Sequence, residues 1–549
     1  MRKDEKKDIE KPDTTKTGTK KLKKGSIFKI ILSLALFSLV CYFIYVLTTI
    51  SFLPPLYVGG LSAVILVVFN FTYFLIWRSK KSGRVFGFLR SVFIFILSAS
   101  IVALSLDIRD IEKTLFKLVN PLPSTGTSNM IVLALKDDPI VEPKELFSGK
   151  TAIQSEKDQQ NLEYAIKFIE SEFHSSLDIQ SYSDAVEATD ALLNKDCRFL
   201  MVNNSYFEML QSIATYEDLP EITKVVYKVE IDYEIDNDFV SDTKVTEEPF
   251  TILISGADSY EKLHNTYRSD VNQLITVNPK TKQILITSFP RDAYVSIPCW
   301  NNQKDKLTHA PAADWREPSG VNCLVKTVES FLDVKIDFYA KINFSSLIKI
   351  VDTAGGITID NPYEFKYTLW PYDVFKEGMI TLNGTQALEY VRERKTLKHG
   401  DMDRNLHQTI VIKALIEKIL QPSMLTKADD LLGLISDVYQ TNITETQIAS
   451  FIRMQLGDFA SWTIQSQALQ GQMAHKLSAL LTKYKVFDMC VIYPNQKKVA
   501  QENIKAIING STSTITEIPK GIKQDIKDDT PKKKVKKPKR NTGGDDGTI

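Results

Sequence analysis

Three long apolar runs follow one another near the N-terminus of this chain, and nothing else in it limits the fold as strongly. They are Ile27–Ile50, Tyr57–Trp77 and Phe86–Leu106, interrupted only by Lys29 and Arg90 near the starts of the first and third. Each is close to the ~20 residues that a helix needs to cross a bilayer. Three such runs in succession do not fit buried core helices. A cleaved signal peptide fits poorly too, because the first run is long and two more follow. The tail before the first run is rich in Lys, the loop after the second reads RSKKSGR, and the loop SFLPPL after the first carries no charge. Positive charge stays on the cytoplasmic side, which puts the N-terminus and the 78–85 loop inside and everything after the third span outside. The expected order begins with a disordered cytoplasmic tail (1–25), three transmembrane helices (26–106) and a connector (107–126).

At 549 residues the chain has room for several further domains. A net charge of +1 argues against a protein built around nucleic acid, and five cysteines are too few for a disulfide scaffold. Residues 127–245 read as a small α/β accessory domain. Its expected elements are a strand at Met130–Leu135, helices over Asp158–Phe173, Tyr182–Leu193 and Tyr206–Tyr216, and strands at Phe199–Asn203 and Thr223–Ile235. It carries no recognisable chemical constellation.

Chemistry gathers in residues 246–510. Three strand-like runs, FTILIS, VNQLITVN and KQILITS, end or open at Asp258, Arg268, Asp270, Arg291 and Asp292. Loops at strand ends are where α/β sheets bind ligands. Asp258 and Asp270 together suit a hard cation, Mg²⁺ or Mn²⁺, shared with substrate phosphates. The densest charge lies in YVRERKTLKHGDMDRNLHQ, from Tyr390 to Gln408. In a strand, Arg392 and Arg394 would share one face; in a helix, Arg404 and Gln408 would do so. Converging planar guanidiniums suit phosphate or pyrophosphate. Cys299 and Cys323 are candidates for a disulfide, permitted outside the cytoplasm and closing a loop worth about 3 kcal/mol. His309 in DKLTHA reads as a structural histidine rather than a substrate contact.

The ordered series SGADS, RSD, TSFPRD, KLTHA, IDNP, GMITLNGTQALEYVRER and GDMDRNLHQ, over residues 250–421, resembles the LytR–CpsA–Psr (LCP) family of cell-wall polymer ligases. With its spans and extra domain, the chain looks most like the streptococcal CpsA-type members. The resemblance implies an α/β LCP domain with a central mixed sheet flanked by helices. It also implies an extracytoplasmic phosphotransferase that moves an undecaprenyl-pyrophosphate-linked glycopolymer, capsular or teichoic-acid-like, onto N-acetylmuramic acid of peptidoglycan. The protein would then be a multi-pass membrane protein of a Gram-positive bacterium, with peptidoglycan, the lipid-linked polymer and the polymer-synthesis machinery as partners.

By motif position, Asp258 and Asp270 would sit at the metal, and Arg268, Arg291, Arg392, Arg394 and Arg404 would grip the pyrophosphate with Gln408 beside them. Asp401 would act as base, with Arg291, Arg392 and Arg394 completing the catalytic set. The family's usual Arg-Gln pair is His407-Gln408 here, and His407 is expected to face away from the site. Val325–Leu332 and Gln408–Leu420 are the candidate walls of a polyprenyl pocket. A hydrolase on the same site and a non-catalytic regulator of capsule production are the rival readings. Residues 511–549 are polar and Lys-rich and read as a disordered tail, suited to anionic wall polymers.

Overall fold

A computed structural model describes residues 24–49, 54–77, 88, 91–106, 125–211, 213, 215–234, 241–257, 268–312, 321–369, 372–421, 424 and 439–530. The chain divides into two compact units, Met1–Glu112 and Lys113–Ile549.

The first unit holds helices α1 (Lys24–Thr49), α2 (Pro55–Trp77) and α3 (Ser91–Leu106). Phe43, Leu47 and Ile101 form their small shared core. Most of the remaining apolar side chains stay exposed, Leu56, Val67 and Phe95 among them, as befits helices whose solvent is not water. Lys29–Thr49 and Pro55–Trp77, at 21 and 23 residues, are long enough to cross a membrane. The sequence leads one to expect three such helices, but among the described residues only two reach that length. Helix α3 falls in the 10–17-residue class, so at 1.5 Å per residue it spans less than ~26 Å against a hydrocarbon core of ~30 Å. The start of its run, apart from Phe88, lies outside the described residues.

The second unit is built on two sheets. The first is ordered β3-β2-β4-β1-β5, from strands β1 (Thr125–Leu135), β2 (Lys150–Gln154), β3 (Asp178–Tyr182), β4 (Phe199–Asn203) and β5 (Thr223–Glu234). β2 runs parallel to β3 and β4, whereas β1 is antiparallel to β4 and β5. Alternation along β1 sends Met130 and Val132 to one face and Ile131 and Leu133 to the other. On the first face they meet Leu162, Ala165 and Ile169 of α4 (Gln159–Phe173). On the second they meet α5 (Ala185–Leu193) and α6 (Asn204–Gln211). Asp184 caps α5 by accepting from Val186 and Glu187 N–H. A single turn, α7 (Leu219–Ile222), leads into β5. The second face does not end at the accessory domain, because its apolar cluster continues into Leu253, Leu274 and Leu285 of the next sheet.

That sheet is ordered β16-β11-β6-β7-β8-β17. Its strands are β6 (Phe250–Ala257), β7 (Ser269–Asn278), β8 (Gln283–Ser288), β11 (Phe338–Ile342), β16 (Tyr439–Thr441) and β17 (Thr463–Ala468). It is mixed: β11 is parallel to β6 and β17 to β8, while β7 is antiparallel to both β6 and β8. The carboxyl ends of β6, β8, β11 and β17 therefore share one edge, and β7 starts there. Helices α8 (Val321–Leu332) and α13 (Pro494–Ile508) cover one face. The other packs on α11 (Asp401–Ile419) and α12 (Glu445–Asp458). A third cluster lies among α9 (Phe344–Thr353), α10 (Gly384–Arg392), α11 and two small sheets, β12 (Ile357–Asn361) with β15 (Gly378–Leu382) and β13 (Phe365–Lys366) with β14 (Val374–Phe375). A Cβ on Gly384 would strike the backbone of Ile348, so a glycine lets α10 cross close over α9.

Strands β9 (Tyr294–Ile297) and β10 (Gln303–Lys306) form a ribbon beside a longer hairpin, β18 (Gly471–Ser478) and β19 (Thr482–Ile492). The turn of that hairpin ties the two sheets together. Lys157 donates to the carbonyls of Ala479 and Leu480 at 2.5 and 2.6 Å, Thr482 Oγ1 donates to Asp184, and Lys485 pairs with Asp190 at 2.7 Å. Cys299 and Cys323 are joined by a disulfide with Cα atoms 5.8 Å apart, fastening the β9–β10 ribbon to α8.

One expectation is corrected. The polar tail does not begin at 511, because residues 511–530 form an ordered strap without regular secondary structure. Ile515 and Ile518 pack against the core, Asn503 exchanges hydrogen bonds with Thr516, and Asp529 accepts from Leu477 N–H and Lys476. Residues 531–549 lie outside the described residues.

Candidate active site

The shared carboxyl edge of the mixed sheet collects the charges. Arg268 and Asp270 stand at the start of β7, Arg291 and Asp292 just beyond β8, and Asp401, Arg404 and Gln408 on the first turns of α11. Asp270 is 8% exposed and accepts from Arg291 Nη1 at 2.8 Å and Thr308 Oγ1 at 3.1 Å. Burial alone would raise its pKa. The guanidiniums of Arg291, Arg268 and Arg404 outweigh that and hold it well below the usual carboxylate range. Asp401 lies 2.5 Å from Arg404 Nη2 and 3.9 Å from Arg291 Nε. Lys306 pairs with Asp292 at 2.9 Å.

Arg404 is deeply buried, and burial together with the neighbouring guanidiniums lowers its pKa despite Asp401 and Asp270. Its Nε has no hydrogen-bond partner among the described residues. A buried guanidinium with an unsatisfied donor, crowded by others of its kind, suits the oxygens of an anion. The amino end of the 19-residue α11 points the same polarity at this spot.

Next to the charges lies a cavity of about 140 Å³. Its polar wall is Asp270, Arg392, Arg404 and Gln408, and its apolar wall includes Val271, Phe344, Leu347, Leu388 and Val391. Arg392 lies over the Phe344 ring, 4.2 Å from its centroid. Of the sequence candidates, the structure thus brings together Arg268, Asp270, Arg291, Arg392, Asp401, Arg404 and Gln408. Arg394 is exposed at the rim, where its charge still reaches Arg404. Asp258 lies outside the described residues.

Several assignments change. Arg392 ends helix α10 and Arg394 lies in the loop beyond it, so the two do not share a strand face. Val325–Leu332 does not wall the cavity, since Val325, Val328 and Leu332 are sealed in the main core. Of Gln408–Leu420 only Gln408 lines the cavity, while Ile412 and Ile416 pack on the sheet; the apolar wall comes instead mainly from α9 and α10, with Val271 of β7 and Ile342 of β11. His309 is buried and bonds Asp305 through Nδ1 at 2.8 Å. His407 is fully buried and stacks on Tyr390 and Phe365, with ring centroids at 4.3 and 4.8 Å. It faces away from the charges, and burial pushes its pKa down to about 4. Thr308, Asp292 and Lys306 join the site; TSFPRD and KLTHA held them in view, but their roles depend on contacts across the fold.

A metal was also expected. Among the described residues no three His, Cys, Asp or Glu side chains converge as a metal cage. Asp270 has two of about four lone-pair positions engaged, which leaves it able to reach a cation that brings its other ligands with a phosphate.

Comparison with known proteins bears on this arrangement. Polyisoprenyl-teichoic acid–peptidoglycan teichoic acid transferase TagU of Bacillus licheniformis is 39% identical over 197 residues, 36% of this chain and 61% of that protein. TagU of Bacillus subtilis is 38% identical over 197 residues, with the same coverage. The match therefore spans about 61% of the length of these relatives. The crystal structure of B. subtilis TagV is 28% identical, covers 48% of this chain and 98% of its own, and has a TM-score of 0.40. A family model for LytR_cpsA_psr matches residues 216–504, more than half of the chain and all of the charged edge described above, and the chain belongs to that family.

Proposed function

We propose that this protein is a phosphotransferase that moves a glycopolymer from a polyprenyl pyrophosphate onto a hydroxyl of peptidoglycan. The observation that carries the reading is the buried guanidinium cluster around Asp270, with an Arg404 Nε that has no partner among the described residues, opening onto an apolar-walled cavity. A lipid pyrophosphate needs both halves: donors for its oxygens and an apolar wall for its first isoprene units. The names of the TagU relatives favour the same chemistry.

Transfer of this kind is mostly positioning and charge stabilisation. Arg268, Arg291, Arg392 and Arg404 hold the phosphoryl oxygens, with Arg394 at the entrance. Asp401 accepts the proton of the attacking hydroxyl, taken as the 6-hydroxyl of N-acetylmuramic acid. The new P–O bond forms as the bond to the bridging pyrophosphate oxygen breaks, and polyprenyl phosphate leaves. The energy resides in the donor, so no nucleotide is needed. Mg²⁺ or Mn²⁺ held by Asp270, with Asp258 as the second carboxylate, would neutralise charge on the phosphates. The polymer is a capsular polysaccharide or a teichoic-acid-like chain, and the names of the TagU relatives speak for the second.

Topology enters as a matter of parity. With two crossings the second unit would return to the side of the N-terminus, and with three it lies opposite. The Lys-rich tail and RSKKSGR loop favour an inside N-terminus, and peptidoglycan lies outside, so helix α3 is taken as the third crossing. A reporter fused after Ile549 should be extracytoplasmic, and a cytoplasmic signal would end this reading.

The chemistry is tested with the purified chain, a polyprenyl-pyrophosphate oligosaccharide, peptidoglycan fragments and Mg²⁺. Wild type should yield a phosphodiester-linked product, and Asp270→Ala and Arg392→Ala should each lose at least ~10²-fold in rate. Release of oligosaccharide phosphate without linked product would replace transfer by hydrolysis.

A further inference from the structure

Glu393 stands between Arg392 and Arg394, and it is 2% exposed. A buried carboxylate needs partners, and this one has four donors. It accepts from Thr368 N–H at 2.6 Å, from Thr368 Oγ1 at 2.8 and 2.9 Å, from Arg394 N–H at 2.8 Å and from Thr396 N–H at 3.0 Å. These bonds outweigh burial and keep its pKa below the ordinary glutamate value. Two of the donors are backbone groups of the arginine loop itself, and two belong to one residue of the β13–β14 hairpin. A further bond, from Thr396 Oγ1 to Lys366 O at 2.6 Å, runs alongside. Helix α10 ends at Arg392, with Glu393 as its C-cap at φ −58°, ψ 137°. The chain leaves the helix at this residue, and the carboxylate fixes the direction in which it leaves.

We infer that Glu393 is a positioning residue for the reaction proposed above: it clips the arginine loop to the β13–β14 hairpin, so that Arg392 faces the cavity and Arg394 its rim. The inference rests on that functional reading. Glu393 touches no substrate, and its bonds run to neutral donors. A carboxylate placed between two substrate-gripping cations would compete with a phosphate for them if it pointed the same way. Here it is turned inward and consumed by Thr368, Arg394 N–H and Thr396 N–H. No described residue of the hairpin that receives it lines the cavity, so this clip is what gives that hairpin a part in the site.

The test uses the full chain in detergent and measures three quantities: the Kd for a polyprenyl-pyrophosphate oligosaccharide, the KM for peptidoglycan fragments, and the Tm. Glu393→Met should raise the donor Kd about 30-fold, Glu393→Gln about 5-fold and Thr368→Val about 5-fold, with the acceptor KM unchanged. A merely structural role would reduce the active fraction and leave the donor Kd where it was. Folded Glu393→Met protein with wild-type donor affinity overturns the inference. Should Glu393→Met fail to fold, Thr368→Val decides, because it deletes one hydroxyl and keeps the carboxylate. Wild type that binds donor but transfers nothing sinks the transfer reading, while the Kd series still decides Glu393. Wild type that binds no donor sinks both.

Discussion

Helix α11 separates two regions that share a backbone and differ in almost everything else. On one side, Asp401, Arg404 and Gln408 join Asp270 and Arg291, where like charges crowd and a buried donor goes unpaired. On the other, Asp403 is absorbed by the fold and His407 is held as a neutral ring, its Nδ1 against Tyr390 O and its Nε2 without a partner among the described residues. Asp403 accepts from Tyr363 OH at 2.6 Å and from His399 N–H at 2.9 Å, and His407 stacks inside a box of Tyr390, Phe365 and Tyr363. Asp401 and Asp403 are two residues apart on one turn. The first is held by cations that a ligand can claim, the second by groups that have nowhere else to go. The difference teaches that charge density along the chain does not mark a site. What marks it is charge that the protein itself leaves unsatisfied.

The largest effect should come from the unsatisfied side. Arg404→Ala should cut transfer by ~10³-fold or more, while thermal unfolding moves little, since the variant also relieves repulsion from Arg291. A stability loss as large as that on the opposite face would break the contrast. Next, Phe365→Ala should open the aromatic box and cost about 3–5 kcal/mol of stability, read by denaturant unfolding, with the donor Kd of the folded fraction raised by no more than the about 5-fold expected of Thr368→Val on the same hairpin. A large affinity loss at unchanged stability would show that the two faces are not separate.

The smallest effect sharpens the contrast through pH. His407 has its pKa pushed down to about 4, against an ordinary value near 6.5. The unfolded chain therefore takes up the proton first. Stability from a neutral His407 is fully present above about pH 6.5 and is lost as pH falls toward 4, by on the order of 3 kcal/mol. Glu389, pushed up to about 7 by burial beside Asp373, works in the opposite direction. The informative quantity is thus the wild-type profile minus that of His407→Gln. A flat difference between pH 7 and 4.5 would mean that the box does not hold the histidine neutral.

Much of this was legible in the linear order of residues. Local periodicity marks α4, β4 and β5 within a few residues, because each buries a face at helical or strand spacing. The motif residues of the charged edge were also in view. What stayed hidden depends on contacts between distant segments. The apolar wall joins Phe344 and Leu347 of α9 to Leu388 and Val391 of α10, and each reads alone as an ordinary packing face. Arg392 and Arg394 fit strand spacing as well as a helix end, and only the bonds of Glu393 to Thr368 decide between them. The strap at 511–530 has polar composition because its order comes from hydrogen bonds such as those between Asn503 and Thr516, which leave no periodic trace. The count of spans turns on the length of α3, of which only Ser91–Leu106 is described against an apolar run that begins at Phe86.

The bonds between Lys157 and the carbonyls of Ala479 and Leu480 carry a consequence for how the molecule is made. The partners lie 322 and 323 residues apart. The accessory sheet ends at Glu234, so at 5–20 residues per second it is complete for roughly 12–50 s before the turn that completes its docked face has been synthesised. Over that interval α5 and α6 must keep their own apolar face from other chains. The order of emergence thus asks the accessory domain to fold as an independent body first and to become half of a shared core only later.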